Sequence, residues 1–291
     1  MGIVVVGTKS TTVIGFDGSS ADGERPPVTI QPGCCGSVVG MPVGDRLILI
    51  DAYRVWTWVL DPETVTWRAL GDRPGTGDIL GAAVIGDVLY VVNAAARTGG
   101  GVSLVSALDL NTGKWTEVEQ VPSGVSVGGV TTDGERLIVA GVLQDMNNRI
   151  IGDSRPVAYQ HGVEGWRRLP DIPINGQAST IAWVEGAGLL AWNYDPESAL
   201  LPASGVWEVV GSVPMDASEC YPRSFQTEGG IVGLCGGLAY FDAESRSWAP
   251  IPMPFPARYV AIHDSAYQLT PRGDITQLAA YPLSESGSGG G

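Results

Sequence analysis

The amino-acid sequence predicts an all-β fold made of copies of one four-stranded antiparallel sheet, and three observations predict it. Apolar strands follow Gly-containing turns at a regular period, a Trp follows an Asp by six residues late in the period, and a Pro closes it. The turn glycines Gly44, Gly86, Gly134, Gly186 and Gly229 are 42, 48, 52 and 43 residues apart. Within one period the order is strand a, Gly turn, strand b, loop, strand c, Asp-to-Trp hairpin, strand d and a Pro-bearing exit. A meander of this kind cannot cover both of its own faces. Radial stacking of several around an axis buries those faces and leaves only short edges, so the predicted architecture is a β-propeller.

Each element has its own local cause. Gly86-Asp87-Val88-Leu89-Tyr90-Val91-Val92 and Gly134-Glu135-Arg136-Leu137-Ile138-Val139-Ala140 set a tight turn before a β-branched, apolar run, which is how a central strand begins. Asp61-Pro62-Glu63-Thr64-Val65-Thr66-Trp67, Asp109-Leu110-Asn111-Thr112-Gly113-Lys114-Trp115 and Asp242-Ala243-Glu244-Ser245-Arg246-Ser247-Trp248 are hairpins whose Asp caps a polar turn and whose Trp opens the returning strand. His161 to Trp166 and Ser204 to Trp207 are shorter versions. Pro74, Pro122, Pro173, Pro214 and Pro252 stop the outer strands. No 3.6-residue apolar period survives between the Gly and Pro punctuation, which excludes a helical repeat.

Composition bounds the classes of protein. The chain has 291 residues with 17 basic and 31 acidic side chains, a formal net charge of −14, and 44% apolar residues, enough to bury a large core without metals or cross-links. No basic run is present to release phosphate counterions, so nucleic acid and anionic membrane surfaces are poor partners. No stretch approaches the roughly 20 apolar residues of a membrane helix, and the first residues lack the basic lead of a signal peptide. A monomer is expected.

Six blades are expected, with seven, two of them incomplete, as the alternative. Five full units span Cys34 to Pro256. Three strands near Tyr259–His263, Ala266–Thr270 and Ile275–Tyr281 begin a sixth, and N-terminal strands at Ile3–Val6, Thr12–Phe16 and Pro27–Ile30 complete it and close the ring. Residues 1–285 form this single domain; Ser286 to Gly291 read as a flexible linker outside it.

The Gly turn, the apolar strand b, the Asp ending strand c and the Trp six residues later resemble kelch repeats over residues 34–283. The paired Gly usual at the end of strand b is replaced by Asp51, Asn93 and Trp192. The run Glu219-Cys220-Tyr221-Pro222-Arg223-Ser224, followed by Leu234-Cys235-Gly236, is similar to bacterial galactose-oxidase-like kelch proteins. That likeness raises copper-radical oxidase chemistry, which in that family needs two His and two Tyr, one Tyr linked to a Cys. Only His161 and His263 exist here, at positions not expected to converge, so neither copper nor any His-rich metal centre is expected, and no cofactor.

In an up-down blade the residues starting strand a and those just after strand b share one axial mouth. The first set contains Cys34, Cys35, Asp78, Gln177, Tyr221, Arg223 and Arg258. The second contains Asp51, Tyr53, Arg54, Asn93, Arg97, Gln144, Asp145, Asn193 and Tyr194. The ligand site is expected among Asp51, Arg54, Asp78, Asn93, Gln177, Tyr221, Arg223 and Arg258. This mix of guanidinium, carboxylate, amide and phenol suits a small polyhydroxylated or carboxylate-bearing ligand, with Arg223 and Arg258 as bidentate anchors; solvated propeller loops are polar in any case. Asp61, Asp109 and Asp242 read as turn caps, and Trp67, Trp115, Trp166, Trp207 and Trp248 as packing between blades.

Cys220 and Cys235 fall nearly opposite each other across a hairpin, within reach of a disulfide; a bridge there would place the protein outside the reducing cytosol. The expected function is a non-catalytic binding or interaction scaffold for a small polar, sugar-like ligand or a protein. The alternative is a cofactor-free carbohydrate-active enzyme of mutarotase or epimerase type, for which no catalytic set can be assembled from the sequence.

Overall fold

A computed structural model of the chain describes residues 2–6, 11–15, 20–24, 38–43, 46–52, 55–61, 63–94, 102–145, 147, 149–151, 155–176, 179–193, 197–214, 223–227, 230–234, 238–251, 258–262, 265–269 and 275–276. Their strands fall into seven antiparallel sheets, each hydrogen-bonded in chain order. The first is three-stranded: β1 (Gly2–Val6), β2 (Thr11–Gly15) and β3 (Ser20–Gly23). Five four-stranded sheets follow. They are β4 (Val38–Val43) to β7 (Thr66–Ala69) with β5 (Arg46–Asp51) and β6 (Thr57–Asp61) between; β8 (Ile79–Ile85), β9 (Val88–Ala94), β10 (Ser103–Asp109) and β11 (Trp115–Val118); β12 (Val125–Thr132), β13 (Leu137–Leu143), β14 (Val157–Gly162) and β15 (Gly165–Arg168); β16 (Ser179–Val184), β17 (Gly188–Asn193), β18 (Glu197–Leu201) and β19 (Glu208–Ser212); and β20 (Arg223–Thr227), β21 (Gly230–Leu234), β22 (Leu238–Asp242) and β23 (Ser247–Ile251). The last is three-stranded: β24 (Arg258–Ile262), β25 (Ser265–Leu269) and β26 (Ile275–Thr276).

The ends differ from the sequence reading. The strands assigned to one shared blade lie in two separate sheets. The third N-terminal strand is Ser20–Gly23, a polar edge segment with no apolar signal, whereas residues 27–30 lie outside the described residues. Among the described residues no helix is long and apolar enough to cross a membrane.

The chain divides into two compact units, residues 1–126 with 144–149, and residues 127–143 with 150–291. In the first, Ile48, Ile50 and Val59 pack against Leu89, Val91, Leu108 and Trp115, so the β4–β7 sheet covers one face of the β8–β11 sheet. The second repeats the pattern twice. Ile138, Ala140 and Ala158 meet Ile181, Leu189, Ala191 and Ala199, and the opposite face of that second sheet, with Leu190, Trp192 and Leu200, meets Ala239 and Phe241. Trp248 lies edge-on to Trp192 at 5.6 Å and to Phe241 at 5.2 Å, and its indole donates to Ser198 Oγ at 2.9 Å. Trp207 Nε1 likewise donates to the Pro170 carbonyl at 2.9 Å. These Trp residues of the repeat join one sheet to the next.

The Asp-to-Trp hairpins share one mechanism. Asp109 Oδ1 accepts the N–H groups of Asn111 and Thr112, both at 2.9 Å, and Asp61 Oδ1 accepts those of Glu63 and Thr64 at 2.9 and 3.2 Å. Asp242 Oδ1 accepts from Ser245 at 2.6 Å. Two residues before the Trp the backbone turns left-handed, at Val65 (φ 50°), Gly113 (φ 70°), Gly205 (φ 79°) and Arg246 (φ 52°). Gly fits that position without strain; Val65 and Arg246 occupy it at a cost.

Candidate functional site

The first unit gathers several expected site residues at the ends of its central strands. Asp51 closes β5 and Asn93 lies near the end of β9; the sequence between β7 and β8, residues 70–78, runs between these ends. It is stitched in place by backbone bonds from Arg73 N to Val55 O at 2.8 Å, Gly77 N to Ala52 O at 2.9 Å, and Ala94 N to Asp78 O at 2.9 Å. Asp51 and Asn93 are buried and Asp78 is exposed.

A residue that the sequence reading passed over sits at the centre. Arg73 is 1% exposed; its guanidinium donates to Asn93 Oδ1 at 2.9 Å and to the Ala52 carbonyl at 3.1 Å, and its Nε has no partner. Burial pushes the guanidinium below its usual range, and the charge of Asp51 opposes that push. Counting six residues on from Trp67, Trp115, Trp166 and Trp207 reaches Arg73, Val121, Ile172 and Val213, all buried. The repeat fills this position with an aliphatic side chain three times and with an arginine once. Aligning the repeats on Trp rather than on the turn Gly would have exposed it.

The loop between β5 and β6 adds an aromatic. Asp51 N bonds to the Trp56 carbonyl at 3.0 Å, and Trp56 is 41% exposed. Its predecessor Val55 has φ of 34°, a strained conformation for a β-branched residue. Trp56 falls outside the Asp-to-Trp series, which is why a search by period does not find it.

Gln144 and Asp145 belong to the same unit. Gln144 N bonds to the Gly124 carbonyl at 2.7 Å, just before β12. Asp145 Oδ1 accepts from Arg149 N at 2.9 Å and Asn147 N at 2.8 Å; these bonds, Arg149 first, hold its carboxyl below the usual range. Asp145 is thereby a turn residue.

In the second unit, Asn193 ends β17, is 2% exposed, and donates through Nδ2 to the Asn175 carbonyl, leaving Oδ1 without a partner. It performs with its own amide the stitching that Arg73 and Asn93 perform in the first unit. Arg223 and Arg258 begin β20 and β24, where only the backbone is described. Tyr53, Arg54, Arg97, Gln177, Tyr194, Tyr221, Cys34, Cys35, His263 and the two cysteines expected to pair, Cys220 and Cys235, lie outside the described residues. His161 sits at the other end of its sheet, its ring 4.9 Å from that of Trp166. Among the described residues no group of three or more His, Cys, Asp or Glu side chains is placed to hold a metal ion.

The repeated four-stranded meander, without helices among the described residues, defines a β-propeller, and comparison with solved structures shows that fold. The chain is similar to virginiamycin B lyase from Staphylococcus aureus, a seven-bladed β-propeller, with a TM-score of 0.63 over 92% of this chain and 87% of that one at 10% identity. No family model matches the chain, and no curated protein matches it.

Proposed function

We propose that the protein is a non-catalytic binding module that takes a polyhydroxylated, sugar-like ligand at the strand ends of its first unit. Trp56, partly exposed at this end, would supply aromatic surface for stacking on the apolar side of a sugar ring. Asp78 and the loop backbone offer hydrogen bonds beside it, and Arg73 with Asn93 holds the two strand ends in register. The observation that carries this reading is the buried guanidinium at a position the repeat otherwise fills with aliphatics. A purely structural core had an apolar solution available, and a buried charge is poor evidence for stability as such.

The enzyme alternative, including a lyase of the kind its structural neighbour is named for, requires a proton-transfer group at this end. Among the described residues there, Arg73 is a guanidinium that donates, and Asp145 is a carboxylate held ionised by its own turn; neither is poised to move a proton, which supports binding. The kelch likeness and the Cys220–Cys235 bridge, with the extracytoplasmic setting it implies, remain parts of the proposal, as do a protein partner in place of the sugar and a monomeric state. Calorimetric titration with monosaccharides, oligosaccharides and sugar acids tests the reading. Saturable binding that Trp56→Ala weakens about fivefold or more is expected, since a stacked aromatic contributes on the order of 1 kcal/mol. Absence of binding by every sugar, or binding indifferent to Trp56, refutes it.

A further inference from the structure

At the opposite end of the same strands the first unit carries a second concavity, of about 310 Å³, lined by β4–β7 on one side and by the β8–β9 and β10–β11 turns on the other. Strand register explains its make-up. Ile48 pairs with Val59 and Val59 with Arg68, so one row across the sheet ends in a guanidinium; in the next row, on the same face, Val43 pairs with Arg46 and Asp61 with Thr66. Facing these rows are Val84, Gly86, Asp87, Leu110 and Asn111. Gly86 has φ of 55°, and a Cβ placed there would meet nothing within 4 Å, so the groove stays open beside the turn. The walls are aliphatic and the rim holds two arginines and one aspartate. A second concavity of about 380 Å³ adjoins it, sharing Arg46, Val59 and Arg68 and adding Asp61, Glu63 and Thr66.

We propose that this groove binds a small monocarboxylic acid with an apolar body, its carboxylate held by Arg68 and Arg46 and its hydrocarbon laid on the half-buried Val43, Leu70, Val84 and Leu110. Three features select this ligand. Among the described residues Arg68 bonds no protein acceptor, leaving its five N–H donors in their fixed fork for a carboxylate. The aliphatic walls reward an apolar body and give nothing to a bare inorganic anion. Asp87 on the opposite rim, with Asp61 and Glu63 in the adjoining hollow, repels a second carboxylate, so a monoanion is favoured over a dianion. The volume is at the lower end of the roughly 300–1,000 Å³ of small-molecule pockets, which suits a ligand of this size. The site is separate from the one proposed above: Arg46 begins β5 and Asp51 ends it.

Titration of the full chain with hexanoate, followed by calorimetry and ligand-observed NMR, tests the proposal, with hexanol, adipate and inorganic phosphate as comparison ligands. Hexanoate is expected to saturate with a Kd of about 1 mM or tighter, and each comparison ligand to bind about tenfold or more weakly. Arg68→Ala, exposed and so not needed for folding, is expected to weaken hexanoate about tenfold at unchanged Tm, with Arg46→Gln as an independent second variant. Trp56→Ala leaves this titration unchanged, which separates it from the sugar site. Non-saturating hexanoate, phosphate binding as tight as hexanoate, or full affinity in both arginine variants overturns the proposal.

Discussion

Replacing Arg73 by alanine removes two hydrogen bonds from a charged donor, strands the buried Oδ1 of Asn93 and leaves the carbonyl of Ala52 with the Gly77 N–H alone. Losing hydrogen bonds from a charged donor to buried neutral acceptors costs about 1.5–3 kcal/mol, and the cavity left by the side chain adds to it, so a loss of about 3 kcal/mol is expected. The unfolding entropy of a chain this long turns ~3 kcal/mol into a fall in Tm of about 5 °C. The more telling variant is the double substitution Arg73→Ile with Asn93→Val, which installs the aliphatic solution of Val121, Ile172 and Val213 and removes the amide that would otherwise lose its partner. Replacing both members of such a pair by apolar groups of similar shape is nearly neutral, so the double variant should regain all but ~1 kcal/mol. Urea unfolding of the parent, Arg73→Ile, Asn93→Val and the double variant at one pH completes a double-mutant cycle, with Arg73→Ala measured beside it. Purely additive losses, or an Arg73→Ala midpoint equal to that of the parent, would refute the claim that the guanidinium joins the strand ends.

Other outcomes follow from the same geometry. Gly113→Val puts a β-branched residue at φ 70°, with a Cβ 3.2 Å from Leu70 Cδ2, and should cost ~2 kcal/mol in a urea melt. Arg246→Asn relieves the same left-handed position and loses only a surface ion pair with Glu208, so it should stabilise by ~0.5 kcal/mol. The carboxyls of Asp61, Asp109 and Asp242 are held below their usual range, by the N–H of Thr64, the N–H of Thr112 and the hydroxyl of Ser245 first in turn. A depressed folded-state pKa gives stability that is present above the unfolded value near 4 and lost as pH falls through the folded values, so melts should be flat above about pH 5 and fall below about pH 4, with a shallower fall in Asp109→Asn. Intact mass after alkylation under denaturing conditions should show two modified thiols if Cys220 and Cys235 are bridged and four if they are not.

The repeat, its Asp caps and its Trp contacts were legible in the sequence because each is a local event. A turn needs its Asp and its left-handed residue within a few positions, and the period displays them again and again. The terminal sheets were less legible, since Ser20–Gly23 is a polar edge strand held by pairing with β2 rather than by an apolar pattern. At the site, Asp51, Asp78 and Asn93 could be named because strand order alone puts them at one end. Arg73 could not, because its role depends on reaching one acceptor 20 and another 21 residues away. Val55 and Trp56 escaped for a related reason: a strained loop residue departs from the repeat, and periodicity detects only what recurs.

The most direct test watches the indole N–H resonances of the nine Trp residues during titration with glucuronate. The resonance of Trp56, assigned by its loss in Trp56→Ala, is expected to move saturably while those of Trp67, Trp115 and Trp248 stay fixed. A Trp56 signal that holds still at saturating ligand, or a shift confined to the interior series, would contradict the proposed site.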